Sequence, residues 1–156
     1  MKKVLIALDY DPTAQKVAET GFSLAKAMGA ETILLHVIND PVFYYSREYS
    51  PIMGIWGSMD TSQFQLDNID GLRKASLHFL EKFKLHLGDE SIQLLIKEGD
   101  IGDSILKTAK LLHVDIIVLG THSQRWLENI IMGSVAEKVL RHTKIPLFII
   151  PTKKHD

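Results

Sequence analysis

The feature that most constrains the fold is a repeated alternation of short apolar runs with longer amphipathic segments. Five apolar runs have the length of a strand, at residues 4–8, 32–38, 92–96, 115–119 and 145–150. Nearly continuous apolar runs are typical of strands that are buried on both faces, so each run predicts a parallel strand. The sequence therefore predicts an α/β fold with a single open five-stranded parallel sheet and helices on both faces.

The segments between these runs have helical periodicity. They cover residues 12–28, 62–87, 101–112 and 134–141. Pro12 is placed to open the first helix and Gly29 to end it, since proline favours a first helical turn and glycine a C-terminal cap. In a sheet of this kind, ligands bind beyond the carboxyl ends of the strands, where the strand order reverses.

Length and composition indicate one domain, residues 1–156, with a hydrophobic content of 46%. The formal net charge of −1 gives no bulk attraction to nucleic acid or to an anionic membrane. No cysteine is present, which excludes disulfides, thiolate metal sites and thiol catalysis. The first apolar run is too short for a signal or spanning segment, so we expect a cytoplasmic protein.

One connection, at about 39–61, is much longer than the others. It carries five large side chains: Tyr44, Tyr45, Tyr49, Met53 and Trp56. Loops of this length are usually functional or mobile. Two interpretations stay open, namely that the aromatic residues pack the loop onto its own domain, or that they form a lid or a partner surface.

The last predicted strand runs from Ile145 to Ile150 and is bounded by Pro146 and Pro151. Proline cannot donate to a sheet ladder, so this strand is expected at an edge. An apolar edge strand without a partner would aggregate. We therefore expect a homodimer in which this edge pairs with the same strand of a second subunit.

The segment after the fourth strand reads Gly120-Thr-His-Ser, then nine residues, then Gly133-Ser134. A turn of small residues followed by a helix N-terminus presents backbone N–H groups and the positive end of a dipole, which suits a phosphate. Ser134 and Glu137 also have the spacing of a capping box. Their use as a cap is compatible with N–H groups from Gly133 and Ser134 that contact a phosphate.

Asp9 follows the first strand and has two interpretations. Its carboxylate is placed to accept hydrogen bonds from a ribose hydroxyl or an adenine amino group, or to form an Asx turn or helix cap for the next segment. The histidines are dispersed, and His36, His78, His86 and His113 are expected to be structural or surface residues rather than metal ligands.

The sequence resembles the universal stress protein family, whose loop is Gly-x-x-Gly, nine residues, Gly-Ser. The resemblance covers nearly the whole chain. Its stretches are residues 4–9, 35–38, 96–99, 115–120 and 132–139. It implies a Rossmann-like fold of the adenine nucleotide alpha hydrolase-like class, and a regulatory role in stress adaptation with an unknown protein partner.

In members of that family that hold ATP, the first aspartate and the second strand contact the nucleoside, and the glycine loop holds the phosphates. The resemblance implies ATP, or ADP or AMP, as the ligand here, with Mg²⁺ left open. The nucleoside would lie against Ala7, Asp9 and Val37. The ribose and phosphates would contact the second group: Leu119, Gly120, Ser123, Gly133, Ser134 and Val135.

Ser123 stands where the family loop has its second glycine. If that position needs a left-handed backbone, serine costs roughly 1–2 kcal/mol there. A hydrogen bond from its hydroxyl would return about 1 kcal/mol. The two effects nearly cancel, so the sequence predicts nucleotide binding that is weakened or reshaped rather than lost.

Two other functions stay open. Asp9, Asp11 and Thr13 resemble the first motif of haloacid dehalogenase-like phosphatases, with Asp9 as the nucleophile and Mg²⁺ as the counterion, but the later motifs of that family are missing. The other is a dimeric adaptor that does not bind nucleotide. Because no base is positioned to activate a water, we expect no enzyme, although slow ATP hydrolysis is left open.

Overall fold

The computed structural model describes residues 1–39, 69–121 and 133–152. The predicted long connection, beyond its first residue, and Ser123 lie outside these ranges. So does the start of the second predicted helix.

The described strands form one parallel sheet, as the apolar runs predict. They are β1 Lys3–Ala7, β2 Glu31–Ile38, β3 Gln93–Glu98, β4 Ile116–Gly120 and β5 Leu147–Ile150. Their order across the sheet is β3-β2-β1-β4-β5, and every neighbouring pair is parallel. The strand order reverses between β1 and β4, which are neighbours in the sheet. The predicted fold class is confirmed.

Four helices connect these strands in the described ranges. They are α1 Ala14–Met28, α2 Ile69–Leu87, α3 Ile101–Leu111 and α4 Ser134–His142. The first begins two residues after Pro12, because the Asp11 carboxylate accepts hydrogen bonds from the backbone and hydroxyl of Thr13 and holds this segment in a turn. Gly29 caps α1 with a left-handed φ of 63°, as the sequence predicts.

The sheet carries one hydrophobic core on each face. Val4, Ile6 and Leu34 pack with α1 and α2, whereas their neighbours in sequence, Leu5 and Ile33, pack with α3 and α4. This alternation follows from the twofold period of side chains along a strand. Two layers of helices therefore enclose the sheet, and its carboxyl edge is where main-chain groups at the strand ends are accessible.

The last strand lies at the edge of the sheet, beside β4, as its flanking prolines predict. It begins at Leu147, after Pro146, two residues later than the apolar run alone predicts. Phe148 remains 38% exposed on it. Among the helices of the described ranges, none combines the length and the apolarity that a membrane crossing requires.

Candidate functional site

The candidate site lies at the carboxyl ends of β1 and β4, which are neighbours at the reversal of strand order. Chain connections leave these two strands in opposite directions, so no crossover covers the gap between their ends. Asp9 follows β1 by two residues, and Thr121 follows β4 directly. The segment that contains Asp9 and the segment that begins with Thr121 therefore reach the same crevice.

The turn after β1 separates the roles of two aspartates. Asp11 accepts hydrogen bonds from the backbone N–H of Thr13 at 2.8 Å and from its hydroxyl at 2.6 Å. This is the Asx turn that the sequence analysis considered for Asp9. Because Asp11 makes it, Asp9 is not needed as a cap. The same contacts engage the second aspartate of the phosphatase motif in holding the turn.

Asp9 is half-buried between two buried neighbours, Leu8 and Tyr10. The pKa of its carboxyl is raised to about 7, chiefly by burial and also by the nearby charge of Asp11. A hydrogen bond from its own backbone N–H acts in the opposite direction. A carboxyl of this kind is poorly solvated, so it has much to gain from the hydroxyl or amino donors of a ligand.

A buried group of aromatic and polar side chains supports this turn from below. The Nδ1 atom of His36 lies 2.8 Å from the Leu8 carbonyl oxygen, and its ring lies 4.2 Å from that of Tyr10, centroid to centroid. The Tyr10 hydroxyl bonds to that of Ser76 on α2. Phe79 packs edge-on against Tyr10 at 4.6 Å. The position of Asp9 is therefore fixed by its buried neighbours.

His36 is a structural residue, as the sequence analysis expected. It is 2% exposed, and burial lowers its pKa to about 4. The hydrogen bond to Leu8 acts in the opposite direction on that pKa. In its neutral form with a proton on Nδ1, the ring donates to the Leu8 carbonyl and links the exit of β1 to β2.

Val37 is the neighbour of His36 on β2. The Leu8 N–H donates to the Leu35 carbonyl at 2.8 Å, just past the end of β1. Main-chain groups two residues apart on a strand point to the same side. The N–H and C=O groups of Val37 therefore point toward the side on which β1 has ended, and they face the crevice.

Four of the predicted site residues belong to the core beneath α3 and α4. They are Ala7, Val37, Leu119 and Val135. Their side chains are occupied in packing, with Val37 and Leu119 almost fully buried. The structure brings these four together on one face of the sheet. What they offer to a ligand is main chain, not side chain.

Gly120 is required by packing. A Cβ atom added to it would lie 2.8 Å from Val17 Cγ2 and 3.3 Å from Thr152 Cγ2, both tighter than ordinary contacts. Its backbone is not left-handed. A Gly120→Val substitution would therefore disturb α1 and the exit of β5, which makes it a poor probe of a phosphate path.

The start of α4 corrects two details of the sequence analysis. Gly133 is the N-cap, with φ −66° and ψ 159°, and no side chain caps the helix. The capping box of Ser134 and Glu137 is therefore wrong, because Ser134 is already the first helical residue. Glu137 instead pairs with Arg141 one turn later.

The second correction concerns the backbone N–H groups at the start of α4. The Gly133 N–H donates to the Thr121 carbonyl, so it is not available to a phosphate. At this helix start, the N–H groups without a partner among the described residues are those of the next three residues: Ser134, Val135 and Ala136. They precede Glu137, whose N–H makes the first helical bond, to Gly133. An anion is favoured at this end of the helix by these donors and by the dipole.

The N-terminal half of α4 is also held against α3. Lys138 Nζ lies 2.8 Å from Asp100 Oδ2 and 3.1 Å from Asp103 Oδ1. Asp100 caps α3 by accepting from the Asp103 N–H. The stem of Lys138 passes so close to Gly102 that a Cβ there would clash at 2.8 Å. This contact joins the two helices at the surface.

Sequence reasoning missed Thr121, which bonds to both Gly133 and Thr152, and the buried Thr152. Neither has a motif of its own, since a threonine after a strand is common. In the described parts of the chain, no three histidine, aspartate or glutamate side chains are grouped so that they could hold a metal ion.

Comparisons with known proteins bear on the family and the fold of this chain. The sequence model of the universal stress protein family matches residues 1–151. Universal stress protein MJ0577 of Methanocaldococcus jannaschii is 27% identical over an alignment of 155 residues, which covers 97% of this chain and 96% of that protein. Universal stress protein YxiE of Bacillus subtilis is 27% identical over 151 residues, covering 95% and 97%.

The solved structure of MJ0577 superposes with a TM-score of 0.72 at 25% identity, over 99% of this chain and 98% of that one. A universal stress protein from Archaeoglobus fulgidus, solved in complex with dAMP, shares the fold with a TM-score of 0.60 at 19% identity, over 96% and 98%. Another, solved with cAMP, has a TM-score of 0.62 at 18% identity, over 97% and 98%. Sequence, strand order and these matches lead to one conclusion: the chain belongs to the universal stress protein family.

Proposed function

We propose that this protein binds an adenine nucleotide, ATP in the first place, as a regulatory ligand. The site lies at the carboxyl ends of β1 and β4. The nucleoside lies beside Asp9 and the main chain of Ala7 and Val37. The phosphates lie at the start of α4.

The observation that carries the proposal is the set of three free N–H groups at the start of α4. These donors belong to a helix of nine residues whose N-cap is bonded to the exit of β4. Three adjacent donors and a helix dipole at the reversal of strand order suit a phosphate chain. Asp9 adds an acceptor for a hydroxyl or amino group on the opposite side of the crevice.

Relatives of the same fold bind ligands of the proposed class. The Archaeoglobus protein holds dAMP and another relative holds cAMP. The shared part of those ligands is an adenine nucleoside with one phosphate. ATP, with ADP and AMP as the alternatives, extends the same chemistry toward α4. Mg²⁺ would accompany the polyphosphate.

The proposed role is regulation in stress adaptation in the cytoplasm, not catalysis. A bound nucleotide without a positioned general base is held rather than consumed, with slow hydrolysis as the upper limit. The proposed assembly is a homodimer through β5, whose position at the sheet edge and partly exposed Phe148 leave an apolar strand to be covered. Sedimentation that finds only monomer at micromolar concentration would refute the dimer.

The test uses two substitutions at one position. Ser134→Pro removes a single N–H donor at the first helical position, where proline is favoured, and Gly133 already has the extended backbone that precedes a proline. Ser134→Ala removes the hydroxyl and keeps the N–H. We expect proline to weaken ATP binding about fivefold relative to alanine, with adenosine binding equal in the two variants.

Calorimetry with ATP, ADP, AMP and adenosine gives the affinities, and mass spectrometry of small molecules released from denatured protein identifies the cellular ligand. No heat with any nucleotide at millimolar concentration would refute nucleotide binding. That result favours the second candidate, a dimeric adaptor of the same fold, for which the exposed edge strand is the supporting observation.

A further inference from the structure

Thr121 joins three parts of the chain next to the start of α4. Its N–H donates to the Ile150 carbonyl of β5 at 3.1 Å. Its hydroxyl oxygen accepts the Thr152 N–H at 3.0 Å. Its carbonyl accepts the Gly133 N–H, at the N-cap of α4. The exit of β4, the exit of β5 and the beginning of α4 therefore meet at one residue.

Thr152 completes this junction from the buried side. It is 1% exposed, and its hydroxyl lies 3.3 Å from that of Thr121. Its methyl group lies where a Cβ on Gly120 would come within 3.3 Å, so the two residues are in close contact. The Pro151 carbonyl beside it accepts from Lys16 on α1 at 2.8 Å. The chain after β5 is thus fastened across the end of β4.

We propose that Thr121 and Thr152 are positioning residues of the nucleotide site, which set where the free N–H groups of α4 lie relative to the crevice. This inference rests on the proposed function and names the side chains that support it. Thr121 and Gly133 stand at the two ends of residues 122–132, and their hydrogen bond closes the base of that segment.

The physical argument concerns the direction of the donors. The Gly133 N–H points at Thr121, and the next three N–H groups follow from the same helix start. Since hydrogen bonds weaken steeply with angle, a small rotation of the first turn would misalign all three donors at once. Thr121 is held on its side-chain oxygen by Thr152, so removing that oxygen releases the carbonyl to which Gly133 is attached.

The experiment compares isosteric and conservative variants with a matched control. Thr121→Val removes the hydroxyl and keeps the shape, Thr121→Ser restores it, and Thr152→Val removes the second hydroxyl. Thr143→Val is the control, because the Thr143 hydroxyl makes the same kind of bonds, to the Ile145 backbone, at the opposite end of α4. Affinities for ATP and for adenosine are measured for each.

We expect Thr121→Val to weaken ATP binding about fivefold to tenfold and adenosine binding less than twofold. Thr152→Val should give a smaller change in the same direction, because the Thr152 N–H still bonds to Thr121. Thr121→Ser should recover most of the ATP affinity, and Thr143→Val should leave the ratio of the two affinities unchanged. A general loss of structure would lower both affinities together and would not alter this ratio.

Amide hydrogen exchange without nucleotide keeps this inference separate from the proposed function. If the native protein binds no nucleotide, the proposed function fails, yet Thr121→Val should still speed exchange at Gly133 about fivefold more than Thr143→Val does. Equal exchange in the two variants, an unchanged affinity ratio in Thr121→Val, or failure of serine to rescue would each overturn the positioning role.

Discussion

The carboxyl ends of β1 and β4 lie side by side, but they are built in different ways. Polar side chains define the end of β1. Asp9 is half-buried there, and the buried side chains of His36, Tyr10 and Ser76 lie beneath it. The end of β4 is defined by main chain: Gly120, the Thr121 carbonyl and the free N–H groups of α4. Among the described side chains there, that of Leu119 is buried and the Thr121 hydroxyl accepts the Thr152 N–H.

This difference matches the two halves of a nucleotide. A nucleoside offers few donors and acceptors on a large apolar body, so it suits a desolvated end with one carboxyl. A phosphate chain carries spread negative charge, so it suits several backbone donors and a helix dipole. Stability and ligand binding at the β1 end should therefore depend on core mutations and on pH. At the β4 end, ligand binding should depend on changes in the backbone.

We expect the greatest loss of stability when a buried aromatic side chain beneath the β1 end is removed. Phe79→Ala removes a fully buried ring that packs on Tyr10 and on Phe83, at 4.6 and 5.0 Å between centroids. We expect the free energy of unfolding to fall by about 3–5 kcal/mol, as for other buried phenylalanines. Urea unfolding measures it. Leu85→Ala, on the same helix and 74% exposed, is the control and should change it by under about 0.5 kcal/mol.

The second effect is the pH dependence of His36. Its pKa falls from 6.5 to about 4 on folding, so the unfolded chain takes up the proton first, and stability is lost as the pH falls from about 6.5 to about 4. Relative to His36→Asn, which keeps a donor near Leu8, the native protein should lose about 3 kcal/mol across this range. Parallel stability curves for the two proteins would contradict the burial of a neutral imidazole.

Asp9 should change the stability in the opposite direction over nearly the same pH range. Its pKa is raised from 3.8 to about 7 in the folded protein, so the folded chain takes up the proton first and gains stability as the pH falls from about 7 to 3.8. Asp9→Asn should therefore lose stability relative to the native protein over this range. Unfolding curves from pH 7 to 4 check this. Parallel curves would mean that Asp9 is well solvated, and a difference of the reverse sign would mean that the fold stabilises its carboxylate.

A smaller effect, on ligand affinity, distinguishes the β1 end of the site from the β4 end. At pH 8, where Asp9 is ionised, Asp9→Ala should weaken ATP and adenosine binding by the same factor, about tenfold, because the lost hydrogen bond is to the nucleoside. Calorimetry with both ligands measures the ratio. A loss confined to ATP would place Asp9 on the phosphate side of the crevice and contradict the assignment of the β1 end to the nucleoside.

The smallest effect tests the corrected cap of α4. Ser134 is the first helical residue and exposed, and Gly133 is the N-cap. Ser134→Ala should thus change the free energy of unfolding by under about 0.5 kcal/mol, whereas loss of a capping serine costs about 1 kcal/mol. Thermal or urea unfolding decides between them. A loss near the larger value would restore the capping box.

Much of this architecture was predictable from local patterns. Five apolar runs with helical segments between them gave the parallel sheet, and the flanking prolines placed the last strand at an edge. The predicted residues Ala7, Val37 and Leu119 do lie together at the carboxyl edge. Details of the caps were less predictable: either Gly133 or Ser134 can precede a helix, and the choice depended on the bond to Thr121.

The amino-acid sequence by itself determined the fold class and the family, because periodicity and turn residues act over a few neighbours and the loop spacing is local. Only the tertiary structure decided which groups at the strand ends are free to bind. Asp9 is available because Asp11 makes the turn, and the Gly133 N–H is occupied because Thr121, twelve residues earlier, accepts it. Hydrogen bonds and burial between distant segments set these outcomes, and no local pattern encodes them.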